Sequence, residues 1–269
     1  MSLTYTILGC GSSGGVPRAD GAWGACDPTE PRNRRSRCSM LVRRDRANVE
    51  DEETTVVIDT SPDFRLQMAG AKATRLDAVL FTHDHADQTH GIDDIRVFAV
   101  RTRRRTPCFM DRETHDLLTR RFSYIFEGGL GYPAIAEPRL IPPHGEAWSI
   151  DGPSGAIPVV TFEQAHGPIK SVGYRIGDAA YSSDVSDLDE TGFDALKGVR
   201  LWIVDALRWT PHPTHANVEK ALEWIARVAP ERAVLTNLHI DLDYADLKGK
   251  LPPGVEPAYD GMSITLDAA

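Results

Sequence analysis

Apolar residues in this 269-residue chain come first in short runs of strand formers and then at helical spacing, and the sequence does this twice. In the first half, Thr4–Leu8, Ser39–Arg43, Thr55–Asp59 and Leu76–Phe81 read as strands, and the charged stretch Arg44–Glu53 reads as a solvent-exposed turn. Helical patterns follow over about 92–104 and 112–126. In the second half, Ala147–Ile150, Ile157–Phe162, Val172–Ile176, Ala179–Ser182 and Leu201–Val204 read as strands. A helix comes next, with Val218, Ala221, Leu222, Ile225 and Val228 on one face and Thr214 as its cap. Ala233–Thr236 reads as a last buried strand, and Ser263–Leu266 closes a sheet. Residues 19–37 and 128–143 read as long connections of the kind that shape pockets. Strands first and helices later in each half fit an α/β (α+β) fold of two packed sheets with helices outside. Nothing marks a boundary between independent domains, so residues 1–269 are read as one. With 41% hydrophobic residues the chain can bury a substantial core.

One stretch stands apart from this pattern. Phe81-Thr82-His83-Asp84-His85-Ala86-Asp87-Gln88-Thr89-His90-Gly91 places its histidines where a buried strand ends and a helix begins. In extended chain, His83 and His85 point to the same side, and Asp87 follows at the same spacing. Neutral imidazoles and a carboxylate suit zinc, manganese or iron, and a catalytic metal needs at least three protein ligands with one position open. The missing ligands are expected at other strand ends, where loops assemble sites. His166 follows Val159–Phe162, Asp184 follows Tyr181–Ser183, and His239 follows Val234–Leu238.

The net charge of -9 argues against general affinity for nucleic acid or anionic membrane. Arginines nevertheless cluster at 32–37 and 101–105, and either group could meet a phosphate. No apolar run approaches the roughly 18 residues of a membrane-spanning helix. Cys10, Cys26, Cys38 and Cys108 show no CxxC spacing and no signal peptide precedes Leu3, which reads as a reduced, cytoplasmic protein. The opening Gly9-Cys10-Gly11-Ser12-Ser13-Gly14 contains GxGxxG after a strand. Gly15 and Pro17 follow without an amphipathic pattern, so the dinucleotide reading fails. What remains is a loop of free backbone N–H groups and two hydroxyls able to approach an anion.

HxHxD in Thr82–Asp87, followed in order by His166, Asp184 and His239, resembles the metallo-beta-lactamase superfamily. With Gly9–Pro17 and Asn33-Arg34-Arg35, nearly the whole chain is similar to the branch that contains the phosphoribosyl 1,2-cyclic phosphate phosphodiesterases, with ribonuclease Z more distant. The resemblance implies a four-layer alpha-beta/beta-alpha sandwich with two divalent metal ions, Mn or Zn, in a groove at the strand ends. By position, His83, His85 and His166 would hold the first ion, Asp184 would bridge, and Asp87 with His239 would hold the second. One departure matters: the family has histidine where this chain has Gln88, while Gly91 keeps its place. A glutamine oxygen is a weaker, harder ligand than imidazole, which loosens the second site or favours manganese. His90 is the alternative to Gln88 as a ligand, although two residues further into a helix it points elsewhere.

The expected function is metal-dependent hydrolysis of a small cyclic or nucleotide-like phosphodiester. A hydroxide shared by the metals is the nucleophile, and Asp87 could also orient it. His215, at a helix start, resembles a histidine that ribonuclease Z places near the substrate phosphate, and it would protonate the leaving group; His212 competes for that role. Ser12, Ser13, Arg34, Arg35 and Arg208 are candidate phosphate donors, and Asp59 a buried orienter. The structural zinc of the close relative is not expected, because Cys26 stands alone before Cys38. No stable nucleic-acid complex and no membrane contact are expected, and a homodimer is left open. A thioester or lactone hydrolase on the same scaffold is the second reading. A binding or carrier protein with a weakened second metal site is the third, with Gln88 as its support.

Overall fold

Along Leu201–Asp205, Leu201 and Ile203 join one apolar cluster while Trp202 and Val204 join another. The same alternation splits Val56 and Ile58 from Val57, and Met40 and Val42 from Leu41. Side chains of a strand alternate between faces, so strands with both faces apolar must be covered on both sides. That requirement sets the architecture.

The computed structural model describes residues 2–44, 53–129 and 131–267. The first half runs through β1 (Ser2–Gly9), β2 (Ser39–Arg44), β3 (Thr54–Ile58), α1 (Phe64–Gly70), β4 (Ala78–Leu80), α2 (Ala86–Thr89), α3 (Arg96–Thr102), β5 (Thr106–Met110), α4 (Arg112–Arg121), α5 (Ser123–Phe126) and β6 (Ala136–Leu140). The second half runs through β7 (Ala147–Ile150), β8 (Ile157–His166), β9 (Ile169–Ile176), β10 (Ala179–Ser182), α6 (Glu190–Ala195), β11 (Leu201–Asp205), α7 (Val218–Val228), β12 (Arg232–Thr236), α8 (Tyr244–Lys250), β13 (Val255–Pro257) and β14 (Met262–Asp267).

Two seven-stranded sheets result, in the orders β14-β1-β2-β3-β4-β5-β6 and β13-β12-β11-β10-β9-β8-β7. In each, antiparallel strands give way to a parallel run, β3 to β6 in one and β10 to β13 in the other. Between the sheets lie Tyr5, Ile7, Ile58, Tyr174, Ile203 and Val234. Phe64, Phe98 and Leu118 from α1, α3 and α4 cover the outer face of the first sheet. Phe193, Trp224 and Leu247 from α6, α7 and α8 cover the second. The four-layer α/β sandwich expected from the sequence is the fold observed.

Some local expectations change. The turn expected over Arg44–Glu53 falls largely on residues outside those described. The connection at 128–143 contains the edge strand β6, paired in parallel with β5. Helix α7 is capped by Asn217, whose side chain accepts from the Lys220 N–H, and not by Thr214. Residues 19–37 form no strand; they carry a 3-10 turn at Pro31–Asn33 and single bridges from Arg35 to Val16 and from Arg37 to Gly11. No helix among the described residues is long and apolar enough to cross a membrane.

Candidate metal centre

The carboxyl ends of β3, β4, β8, β10, β11 and β12 open on one rim: His166 and Asp205 are the last residues of β8 and β11, and Asp59, His83, Asp184 and Asn237 lie within three residues after the others. Open α/β sheets place ligands at the carboxyl ends of their strands. Asp59, Asp184 and Asn237 have φ of 62°, 52° and 60°. Asp and Asn tolerate this left-handed conformation better than most residues, and it turns the chain sharply as each strand ends.

Asp59 is fully buried and accepts from both the backbone N–H and the hydroxyl of Thr82, each at 2.8 Å. The Thr82 hydroxyl has given its only hydrogen to Asp59, so its 3.0 Å contact with His83 Nδ1 makes that nitrogen the donor. Nε2 of His83 then carries a lone pair. It is buried and has no hydrogen-bond partner among the described residues. Burial pushes the His83 pKa down to about 3, which keeps the ring neutral and able to coordinate at pH 7. Asp59 is buried, as the sequence led us to expect, and its hydrogen bonds reach the His83 ring through Thr82.

His166 is fixed in the same way from another element. Its Nδ1 donates to the Thr214 carbonyl at 2.7 Å, leaving Nε2 to face Asp184 Oδ1 across 3.8 Å. Burial lowers the pKa of His166 as well. Two acceptors facing each other at that spacing are mutually repulsive unless a cation lies between them. The rings of His83, His85 and His166 have centroids 4.5, 5.0 and 5.2 Å apart. Their donor atoms lie within 4.8 Å of one another, and those of His166, Asp184 and His215 do likewise. His85 is exposed and His83 and His166 are buried, so the cluster opens to solvent on one side. An orphaned imidazole nitrogen, an opposed imidazole and carboxylate, and neutral rings fit a divalent metal.

Asp205 was missed from the sequence. Fully buried at the end of β11, it places Oδ2 2.7 Å from His215 Nδ1. Its apolar strand ending in an acid, Leu201–Asp205, was the available signal. Burial lifts the Asp205 carboxyl to about 6. Burial works against a charged His215, but Asp205, Asp184 and Asp87 outweigh it and raise that imidazole to about 9. The His215 ring lies beside that of His166, centroids 4.8 Å apart. His212 is one ring further out, 5.2 Å from His215, and its Nδ1 is occupied by Thr214.

A cavity of about 290 Å³ collects Ser13, His85, Asp87, His166, Asp184 and His215. A neighbouring cleft of about 610 Å³ shares Ser13 and Asp87 and adds Gly14, Arg18 and Arg37. The other expected residues lie elsewhere. Ser12 is buried beneath the loop. Arg34 is exposed and stacks over Trp23 at 5.0 Å. Arg35 points inward and donates to the carbonyls of His239 and Leu242, tying the loop to the end of the second sheet. Arg208 donates to the carbonyls of Thr210 and Pro211. His90 packs against Phe122, away from the cluster. His239 is not among the clustered donors, and its Nε2 faces the Arg18 guanidinium at 2.5 Å. Cys26 is buried with Val16 and Ile240, against Trp23.

A two-sheet sandwich that gathers imidazoles and carboxylates at its strand ends is the architecture of a metal-dependent hydrolase. A family model described as the beta-lactamase superfamily domain matches residues 54–240. The crystal structure of a diphosphatase from the PhnP family is 30% identical, covers 99% of this chain and 98% of its own, and superposes with a TM-score of 0.85. Zn(2+)-bound PqqB from Methylobacterium extorquens superposes with a TM-score of 0.70 at 17% identity, covering 97% of this chain and 99% of its own. An octanoyltransferase from Porphyromonas gingivalis is 30% identical over 266 residues, 97% of this chain but 51% of that protein. The chain spans about half the length of this curated relative. The chain belongs to the metallo-beta-lactamase superfamily and, within it, to the PhnP family.

Proposed function

We propose that the protein is a metal-dependent phosphodiesterase acting on a small cyclic or nucleotide-like phosphoester, with phosphoanhydrides in the same substrate class. The observation that carries the reading is the 290 Å³ cavity in which metal-binding imidazoles and carboxylates meet the Asp205-backed His215. A divalent ion held by His83, His85, His166 and Asp184 supplies, when bound, a Lewis acid for phosphoryl oxygens and a water acidic enough to react near neutral pH.

The remaining work falls to the chain's own groups. Asp87 lines both the cavity and the cleft, where its carboxylate orients the attacking water. His215 holds its proton at the reacting end while Asp205 fixes the ring through Nδ1, and that proton passes to the leaving alkoxide. Ser13 at the rim donates to a non-bridging oxygen. The cleft beside it carries Arg18 and Arg37, which suits an anionic substrate despite the acidic net charge. Similarity to a diphosphatase over nearly the full chain supports phosphoryl over acyl chemistry. Four buried, unpaired cysteines support a reducing, cytoplasmic setting.

A thioester or lactone hydrolase is the second reading, favoured by the octanoyltransferase similarity. Assays of metal-loaded protein on bis(p-nitrophenyl) phosphate, a cyclic nucleotide, a diphosphate and an acyl thioester, side by side, separate the two. Hydrolysis of a phosphoryl substrate, lost on chelation and restored by metal, is expected. Faster turnover of the thioester puts the acyl reading first, and no turnover of either class puts the carrier reading first.

A further inference from the structure

Three acceptors bear on a second metal position, Asp87 Oδ2, Asp184 Oδ2 and His239 Nε2, and each of them faces a hydrogen-bond donor of the chain itself. Gln88 is fully buried, and its amide nitrogen lies 3.3 Å from Asp87 Oδ2 and 3.1 Å from Asp184 Oδ2. Two carboxylates on one side select this orientation of the amide, because the flipped form would turn its oxygen against them. Gln88 Oε1 is buried without a partner among the described residues, so the amide nitrogen is the end that anchors the side chain. On the opposite side, Arg18 Nη2 lies 2.5 Å from His239 Nε2. A guanidinium has no lone pair, so His239 Nε2 must be the acceptor, and the electron pair that a metal would require is committed to Arg18. The other ring nitrogen of His239 lies 2.9 Å from the Asp241 carboxylate. The residues present do not fit a second ion: its carboxylates are bridged by an amide and its imidazole is held by a cation.

We propose that this centre carries one metal ion, and that Gln88 and Arg18 replace the second: the Gln88 amide ties Asp87 to Asp184, and the Arg18 guanidinium presents positive charge to the substrate. The geometry favours this role for Arg18 on two counts. Its side chain lines the cleft that shares Ser13 and Asp87 with the metal-side cavity. It is exposed there, so only part of its donor fork is used by His239 and the rest faces the cleft. A guanidinium binds two phosphoryl oxygens through parallel N–H groups, which gives a diester the charge neutralisation that a second ion would otherwise provide. The Arg18 half of the proposal rests on the phosphoryl reading above, whereas the metal count is independent of any substrate.

The count is tested first, by elemental analysis and electron paramagnetic resonance of protein equilibrated with excess manganese and freed of unbound metal. Wild type is expected to hold one ion per chain and to show the hyperfine pattern of isolated manganese. Two ions, or the signal of an exchange-coupled pair, overturn the proposal whatever the enzyme hydrolyses. Gln88→His with Arg18→Ala restores an imidazole and frees His239, and the folded double variant is expected to hold two ions. A folded double variant that still holds one shows that these residues do not exclude the second ion. Arg18→Ala alone is expected to stay at one ion and to raise KM for bis(p-nitrophenyl) phosphate roughly tenfold, with a smaller change in kcat. An unchanged KM removes Arg18 from substrate binding while leaving the metal count standing.

Discussion

Asp205 shows how a carboxylate outside the cavity lining can set the charge of an imidazole within it, His215. It is fully buried, it holds His215 Nδ1 at 2.7 Å, and its second oxygen has no partner among the described residues. Asp205→Asn keeps the shape but removes the charge that favours a protonated His215. The expected result is a fall in kcat of about 10²-fold or more, in the range of general acid catalysis, with metal content unchanged by elemental analysis. At this scale the sequence was informative where a side chain has one obvious chemistry. His83, His85, His166 and Asp184 were legible because imidazoles and a carboxylate at strand ends have few other uses. Arg18 was not, since it sits in a loop without period and its partner His239 is 221 positions away. Arg35 misled because nothing local distinguishes an inward arginine from an outward one. Only the carbonyls of His239 and Leu242, brought close by the fold, draw it inside.

Elements were legible in proportion to how much apolar surface each carries. The core strands β3, β11 and β12 bury nearly every residue, and each is built on an apolar run, Val56–Ile58, Leu201–Val204 and Ala233–Leu235. Helices α1 and α8 are seven residues each, and β6, Ala136–Leu140, is a half-exposed edge strand; none carries a pattern of its own. Segments this short owe their form to what they dock against. The turn after α2 makes that docking visible. A Cβ added at Gly91 would lie 2.1 Å from the Ser61 carbonyl oxygen and 2.7 Å from Phe64 Cβ, so α2 and α1 approach as closely as a bare backbone permits. Gly91→Ala should destabilise the fold by about 1–3 kcal/mol, the usual range for overpacking. Urea denaturation checks this, and a midpoint equal to wild type would show that the contact yields. Because His85 is the N-cap of α2, the same substitution should also weaken metal retention.

The whole molecule is two similar halves whose sheets face each other across Tyr5, Ile58, Tyr174 and Ile203, and the centre lies where both sets of strands end. The first sheet contributes Asp59, His83, His85 and Asp87, and the second contributes His166, Asp184, Asp205 and Asn237. Neither half holds a complete site. The strands-then-helices order was enough to foresee the sandwich, because that order has few packed solutions. It could not foretell how the ends of the two sheets meet, which depends on register and twist accumulated over both. Asp184 is the group most dependent on that meeting. It receives the Gln88 amide from one half and faces His166 and His215 from the other. The most direct measurement of the account is therefore kcat/KM for a phosphodiester in wild type and Asp184→Ala, with metal content and folding checked on both. We expect metal-dependent turnover in wild type and a loss of at least about 10³-fold in a folded variant depleted of metal, as for removal of a group that acts only with its neighbours. Wild-type turnover retained in folded Asp184→Ala, or no phosphodiester cleaved by metal-replete wild type, would contradict it.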